Sequence, residues 1–252
     1  EALKAQRRVA VLRARLGETE EAEAAYAHAI GGLEELHAAA PDDASYAREL
    51  AVTLLDASMP SRDEEERIDP ALAVERATRG LALLESTPAD VERDPALMFS
   101  AHCRNALAFA SAGQPDEAEL ALERAEELAS VLAPVPQGDD RGRFDRKTMR
   151  AMAFVQGELI RTRLAIVDSL IAAEDHVGAL ARLDVEVGKL REERHPWSRW
   201  VMPEMLERQL ACHQALGNEE QAAEVERLLE ETPQMGRGRR RGGAGGGRPP
   251  RQ

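Results

Sequence analysis

Apolar residues recur along most of the chain at steps of three and four, and the series themselves repeat. One runs Ala22, Tyr26, Ala29, Leu33, Leu36 and another Ala118, Leu122, Ala125, Ala129, Leu132. Such spacing places every member on one face of a helix, so each series predicts an amphipathic helix. A glycine stands five residues ahead of each: Gly17 before Ala22, Gly113 before Ala118 and, in a third place, Gly217 before Ala222. Ahead of Gly17 the chain has a stripe of its own at Ala5, Val9, Leu12 and Leu16. Helix, tight turn and helix therefore form one hairpin, with small residues at the head of the second helix letting the two backbones approach.

The three glycines are 96 and 104 residues apart, about two repeat lengths each, so two less regular hairpins fill the gaps. In the first gap, residues 47–58 contain Leu50, Ala51, Leu54 and Leu55. After a loop, Asp69-Pro70 opens a helix with Ala73, Ala77, Leu81 and Leu84 on its apolar face. Aspartate as N-cap followed by proline at the first helical position is a start signal, and Asp94-Pro95 repeats it. In the second gap a long helix over about 145–173, with Gly157 as a candidate kink, precedes a shorter one over 177–193. A last hairpin runs from Pro203 through Gly217-Asn218 to about Glu231, for about ten helices in five hairpins.

The residues between Val9 and Pro41, VAVLRARLGETEEAEAAYAHAIGGLEELHAAAP, resemble the tetratricopeptide repeat (TPR) in having glycine, alanine, an aromatic and alanine at fixed offsets. Gly17, Ala22, Tyr26 and Ala29 match those places. Gly113, Ala118 and Ala125 match in the third hairpin, with Leu122 in the aromatic position, and Gly217 and Ala222 match in the fifth. The resemblance implies an all-α, right-handed α-solenoid of about five TPR-like hairpins with extended helices, over residues 1–234. The large residue common early in the first helix of such repeats is replaced by Gln6 and His102. The stretched units, with phrases such as EAEAAYAHAIGGLEEL and PDDASYAREL, look like TPR regions C-terminal to bacterial serine/threonine kinases and related signalling proteins.

Repeat proteins of this kind bind on the concave wall made by the first helix of each hairpin. Transferring the family's inner-wall places yields Lys4, Arg7 and Val11 in the first unit and Ser100, Cys103, Arg104 and Leu107 in the third. These are either a partner-binding strip or ordinary helix positions. Val11 and Leu107 stand where the clamp for chaperone carboxyl termini would need asparagine, so an extended or helical apolar segment is the expected guest rather than a chaperone tail.

Composition narrows the picture further. Only 3% of the 252 residues are aromatic, so alanine and leucine fill the interior, which suits thin stacked helices. The formal charge of −13 becomes −19 when the six arginines of residues 235–252 are set aside, and so acidic a body repels phosphate backbones. Residues 235–252, MGRGRRRGGAGGGRPPRQ, have too little apolar content to recover their ordering entropy and are expected to be a disordered solubilising or weakly adhesive tail, with RNA association a weaker reading.

No residue set for catalysis or for a cofactor emerges: there is no metalloprotease His-Glu-x-x-His, phosphate-binding glycine loop or Gly-x-Ser-x-Gly elbow. His102-Cys103 and Cys212-His213 read as buried cysteines rather than as halves of a zinc site, since neighbouring helical residues point about 100° apart. Arg141, Arg143, Arg146, Lys147 and Arg150 read as a helix start facing Asp139, Asp140 and Asp145 rather than as a receiver for an acidic peptide. Trp197 and Trp200 read as a plug at a helix junction. The functional expectation is a protein–protein interaction scaffold in a larger bacterial regulatory protein, with a regulatory appendage of an upstream kinase as alternative. No apolar run is long enough to cross a bilayer, which leaves the compartment open between the cytoplasm and the soluble part of an anchored protein.

Overall fold

The computed structural model of the chain describes residues 1–59, 68–86, 94–133, 146–193 and 198–232, the side chains of 146, 147, 192, 193 and 198–200 excepted. All regular structure among them is helical, in two compact units divided between Ala173 and Glu174. Of the basic cluster, Arg141, Arg143 and the side chains of Arg146 and Lys147 lie outside the described residues, as do both tryptophan side chains and the tail 235–252, while Arg150 is described and exposed.

The first unit contains α1 (Ala2–Leu16), α2 (Thr19–Ala39), α3 (Ala44–Ala57), α4 (Pro70–Glu85), α5 (Pro95–Ser111), α6 (Pro115–Leu132) and α7 (Arg146–Ala172). Helices α1 and α2, α3 and α4, and α5 and α6 pack as hairpins. Each hairpin also packs on the next, and α7 lies against both α5 and α6. Start signals read from the sequence hold: Asp69 Oδ1 accepts from the Ala71 amide at 3.0 Å, and Asp94 Oδ1 from those of Ala96 and Leu97 at 3.0 and 3.3 Å. Asp43 caps α3 in the same way, accepting from the Ser45 amide at 2.9 Å, so that α3 starts a few residues before the predicted Ala47.

The glycine turns share one geometry. Gly17, Gly113 and Gly217 adopt φ of 80°, 70° and 70°, the left-handed region that a β-carbon disfavours. At each, the glycine amide and the following amide bond back to the last turn of the preceding helix. Gly17 donates to Ala14 at 3.3 Å and Glu18 to Arg13 at 3.0 Å. Gly113 and Gln114 donate to Ala110 and Phe109, and Gly217 and Asn218 to Gln214 and His213. This paired closure satisfies carbonyls the helix end would otherwise leave open, and it reverses the chain in two residues. A fourth turn, after α7, has Glu174 at φ 61° where a glycine would be easier.

Buried side chains form a chain of clusters rather than one centre. Ala10, Tyr26 and Ala57 join α1, α2 and α3; Leu33, Leu50 and Leu54 join α2 to α3; Ala51, Leu55, Leu81, Leu84 and Ala101 join α3, α4 and α5. Phe99, Cys103, Ala125, Ala129, Val155 and Leu159 join α5, α6 and α7. Of the repeat's packing places, Ala22, Tyr26, Ala29, Ala118 and Ala125 are buried, and Leu122 and Ala222 are half-buried. The stripe Ala5, Val9, Leu12 and Leu16 is exposed instead, because α1 meets its neighbours through the opposite side, which holds Leu3 and Ala10. Helix α7 runs unbroken through Gly157.

The second unit contains α8 (His176–Glu193), α9 (Ser198–Ala215) and α10 (Glu219–Glu231), with α9 packed on both others. Helix α9 begins at Ser198, five residues ahead of the expected Pro203, which lies inside it. Gln209 Nε2 donates to Asp184 Oδ1 at 2.6 Å and ties α9 to α8.

Candidate functional site

In the first unit the odd-numbered helices α1, α3 and α5 lie side by side, and the predicted strip meets α3 at two acidic residues. Lys4 Nζ stands 3.2 Å from Glu49 Oε1. Arg7 and Arg104 both reach Asp56, with Nη1 3.4 Å from Oδ2 and Nη1 2.6 Å from Oδ1 respectively. Asp56 thus holds α1 and α5 to the helix between them. All three side chains are only partly open to water, so these pairs exceed the small value of a fully exposed ion pair.

Two members of the strip are not available to a partner. Cys103 and Leu107 are buried, Cys103 completely. The cause is position: α5 is enclosed by α3, α4, α6 and α7, so its free surface narrows to a line through Ser100 and Arg104. Inner-wall offsets that suit α1, with fewer neighbours, do not transfer to it. Burial pushes the Cys103 thiol up to about 12 and raises that of Cys212 as well, which keeps both protonated and unreactive at neutral pH. Burial also lowers the pKa of His102. Among the described residues no three His, Cys, Asp or Glu side chains gather as metal ligands would, and no helix is long and apolar enough to cross a membrane.

Beside Asp56 opens a cleft of about 550 Å³. Val11, Ala57 and Tyr26 line its apolar part, with Met59 and Ile68 at one end, while Arg15, Arg104, Glu158 and Arg161 surround it from α1, α5 and α7. Tyr26, the aromatic of the repeat pattern, therefore both packs between helices and borders the cleft. Burial, helped by the Asp56 charge, pushes its hydroxyl up to about 12, so it stays a neutral donor there. The acids of the cleft are largely committed: Asp56 to Arg7 and Arg104, and Glu23 to Arg76, which also donates to the Ala57 carbonyl at 3.2 Å. Arg15 and Arg161 are exposed and, among the described residues, have no ion-pair partner. The cleft therefore combines an apolar floor with two arginines, Arg15 and Arg161, and one carboxylate, Glu158, that have no ion-pair partner among the described residues.

Sequence reasoning missed Asp56, Arg15, Glu158 and Arg161. Asp56 lies in the second hairpin, where no glycine signature fixes the register from which inner-wall places are counted. Glu158 and Arg161 lie on α7, likewise without that signature. Arg15 was within reach of the repeat logic, since it follows Val11 by four residues on one helical face.

No protein-family model matches the chain, and no curated protein matches it. Among solved structures it is similar to a protein of Podosopora anserina assigned to the kinesin light chains and described as having nearly identical TPR-like repeats, in two crystal structures, one of them of a substituted form. In both the identity is 15%, the TM-score is 0.53, and the match covers 92% of this chain and 94% of that one. At that identity the likeness concerns the fold, and the chain has the all-α repeat fold of TPR-like proteins.

Proposed function

We propose that this TPR-like chain is a protein-binding module that receives a peptide segment of another protein along α1, α3 and α5, with one apolar side chain of the guest in the Tyr26 cleft. The observation that supports this most is the cleft itself, where an apolar floor and the unpaired Arg15 and Arg161 lie within one opening of about 550 Å³. Apolar area lets a guest gain burial, and convergent charge orients it. Lys4, Arg7, Val11, Ser100 and Arg104 extend the same strip, and nothing in it is arranged for proton transfer or nucleophilic attack. Binding rather than catalysis is thus the role for which these residues are suited. The likeness of the sequence to TPR regions beside bacterial serine/threonine kinases supports a place in a larger regulatory protein, where occupancy of the cleft would be the signal passed on.

The test compares the proteins that co-purify with the tagged chain against those that co-purify with Arg15→Glu/Arg161→Glu, measured by quantitative mass spectrometry. Both positions are exposed, so an unchanged thermal melt is expected. A partner retained by the unaltered chain and lost from the variant supports the proposal. Identical partner sets in the two, or none in either, would count against it.

A further inference from the structure

The charged side chains around the Tyr26 cleft divide into those already paired and those left over. Asp56 is held by Arg7 and Arg104, and Glu23 by Arg76. Three groups remain without an ion-pair partner among the described residues: Arg15 from α1, and Glu158 and Arg161 from α7. Exposure separates their signs, since both arginines are exposed whereas Glu158 is half-buried. The Arg15 charge is felt at the Tyr26 hydroxyl, and that of Glu158 at the buried Cys103 thiol of α5. Positive charge therefore stands on the α1 side and at the mouth, and negative charge where α7 meets α5. Glu158 and Arg161 are three residues apart, but an open pair at that spacing is weak, so a guest readily displaces it.

This division discriminates among guests. A segment with only carboxylates beside its apolar anchor satisfies Arg15 and Arg161, yet it covers Glu158 with like charge and leaves that carboxylate dry and unpaired. A segment with only lysines satisfies Glu158 and covers two guanidinium groups instead. Enclosing a charge without a counter-charge is costly, so each of these guests forfeits part of what it gains. A segment with one charge of each sign leaves none of the three groups alone.

On the reading that the Tyr26 cleft holds a guest, we propose that the guest is amphoteric: its apolar anchor has a lysine or arginine on one side, paired with Glu158, and an aspartate or glutamate on the other, paired with Arg15 and Arg161. Glu158 is then the residue that sets specificity. A long cationic side chain suits the half-buried carboxylate, because its apolar stem can lie along Val11, Ala57 and Tyr26 while its head reaches inward.

Synthetic peptides of one length, each with a central leucine, test this on the full chain by fluorescence anisotropy. The leucine is flanked by lysine and glutamate in either order, by glutamates on both sides, or by lysines on both sides. One of the two mixed peptides is expected to bind at least about tenfold more tightly than the glutamate peptide and than the lysine peptide. Glu158→Gln should bring the mixed and glutamate peptides to within about twofold of each other, and Glu158→Lys should make the glutamate peptide the preferred one. The Glu158 side chain makes no hydrogen bond among the described residues, so the glutamine variant should melt as the unaltered chain does. Glu123→Gln, which removes a carboxylate from the exposed face of α6, should leave all four affinities unchanged. Equal binding of the mixed and glutamate peptides, or a preference that Glu158→Gln leaves intact, would overturn the proposal. If binding is also lost in Arg15→Glu/Arg161→Glu, only the amphoteric guest falls and the cleft stands as the binding place. Binding that survives in that double variant, or no binding of any peptide, removes the cleft reading as well.

Discussion

At Gly80 helices α3 and α4 approach closely, and replacing this glycine with alanine opposes two effects of known size. Alanine in place of glycine inside a helix gains about 1 kcal/mol, from propensity alone. A β-carbon at Gly80 would lie 2.9 Å from Leu55 Cγ, 3.0 Å from the Ala51 carbonyl oxygen and 3.4 Å from Leu54 Cβ. The carbonyl cannot rotate away, because it belongs to the backbone of a buried helix, so α3 and α4 must separate. That disturbs the packing of Leu55, Ala51, Leu81 and Leu84, and overpacking of this kind costs about 1–3 kcal/mol. Gly80→Ala should therefore lose up to about 2 kcal/mol net. Gly157→Ala is the internal control, since a β-carbon there meets nothing within 4 Å and only the propensity gain of about 1 kcal/mol operates. For a chain of this size each kcal/mol moves the melting temperature by about 2–4 °C. Calorimetry should show Gly157→Ala melting above and Gly80→Ala below the unaltered chain. If the two variants melt alike, the close approach of α3 to α4 is wrong.

Three further outcomes follow from the packing and the charges. Phe99→Ala removes a fully buried ring that meets Phe154 edge-on at 6.1 Å, and urea titration should show a loss of about 3–5 kcal/mol. Glu174→Gly relieves a non-glycine residue at φ 61° and should raise stability by about 1 kcal/mol in the same assay; a loss would mean that the side chain supports the turn. Tyr26 and Cys103 both hold their protons more tightly when folded, with pKa values of about 12 against ordinary values of 10.0 and 9.0. The unfolded chain therefore releases these protons first, so stability should be full below about 9 and fall as pH rises toward about 12. Melting temperature measured across that range checks this, and Tyr26→Phe should flatten part of the decline.

The glycine hairpins were legible because their chemistry is local: a turn that needs positive φ selects glycine, and the same offset recurs at Gly17, Gly113 and Gly217. Asp69-Pro70 and Asp94-Pro95 were legible for the same reason. What could not be read depends on neighbours. Periodicity marks Val9, Leu12 and Leu16 as one face without stating whether anything covers it, and nothing described does. The enclosure of α5 on four sides takes Cys103 and Leu107 out of the strip, and this is set by stacking rather than by the sequence of α5. Asp56 gains its role only when Arg7 and Arg104, 49 and 48 positions away, converge on it. Gly80 and Glu174 are likewise ordinary as letters, one made necessary by the approach of a second helix and the other a left-handed turn without its usual residue.

The most direct measurement places a photo-crosslinking amino acid at Ser100, in the strip beside Arg104, and separately at Glu123, on the exposed face of α6. Irradiation in the native host should yield a discrete protein adduct from position 100 and none from 123, and the adduct should vanish in Arg15→Glu/Arg161→Glu. Adducts from 123 alone, or an adduct from 100 indifferent to the two arginines, would mean that guests are held somewhere other than the face of α1, α3 and α5.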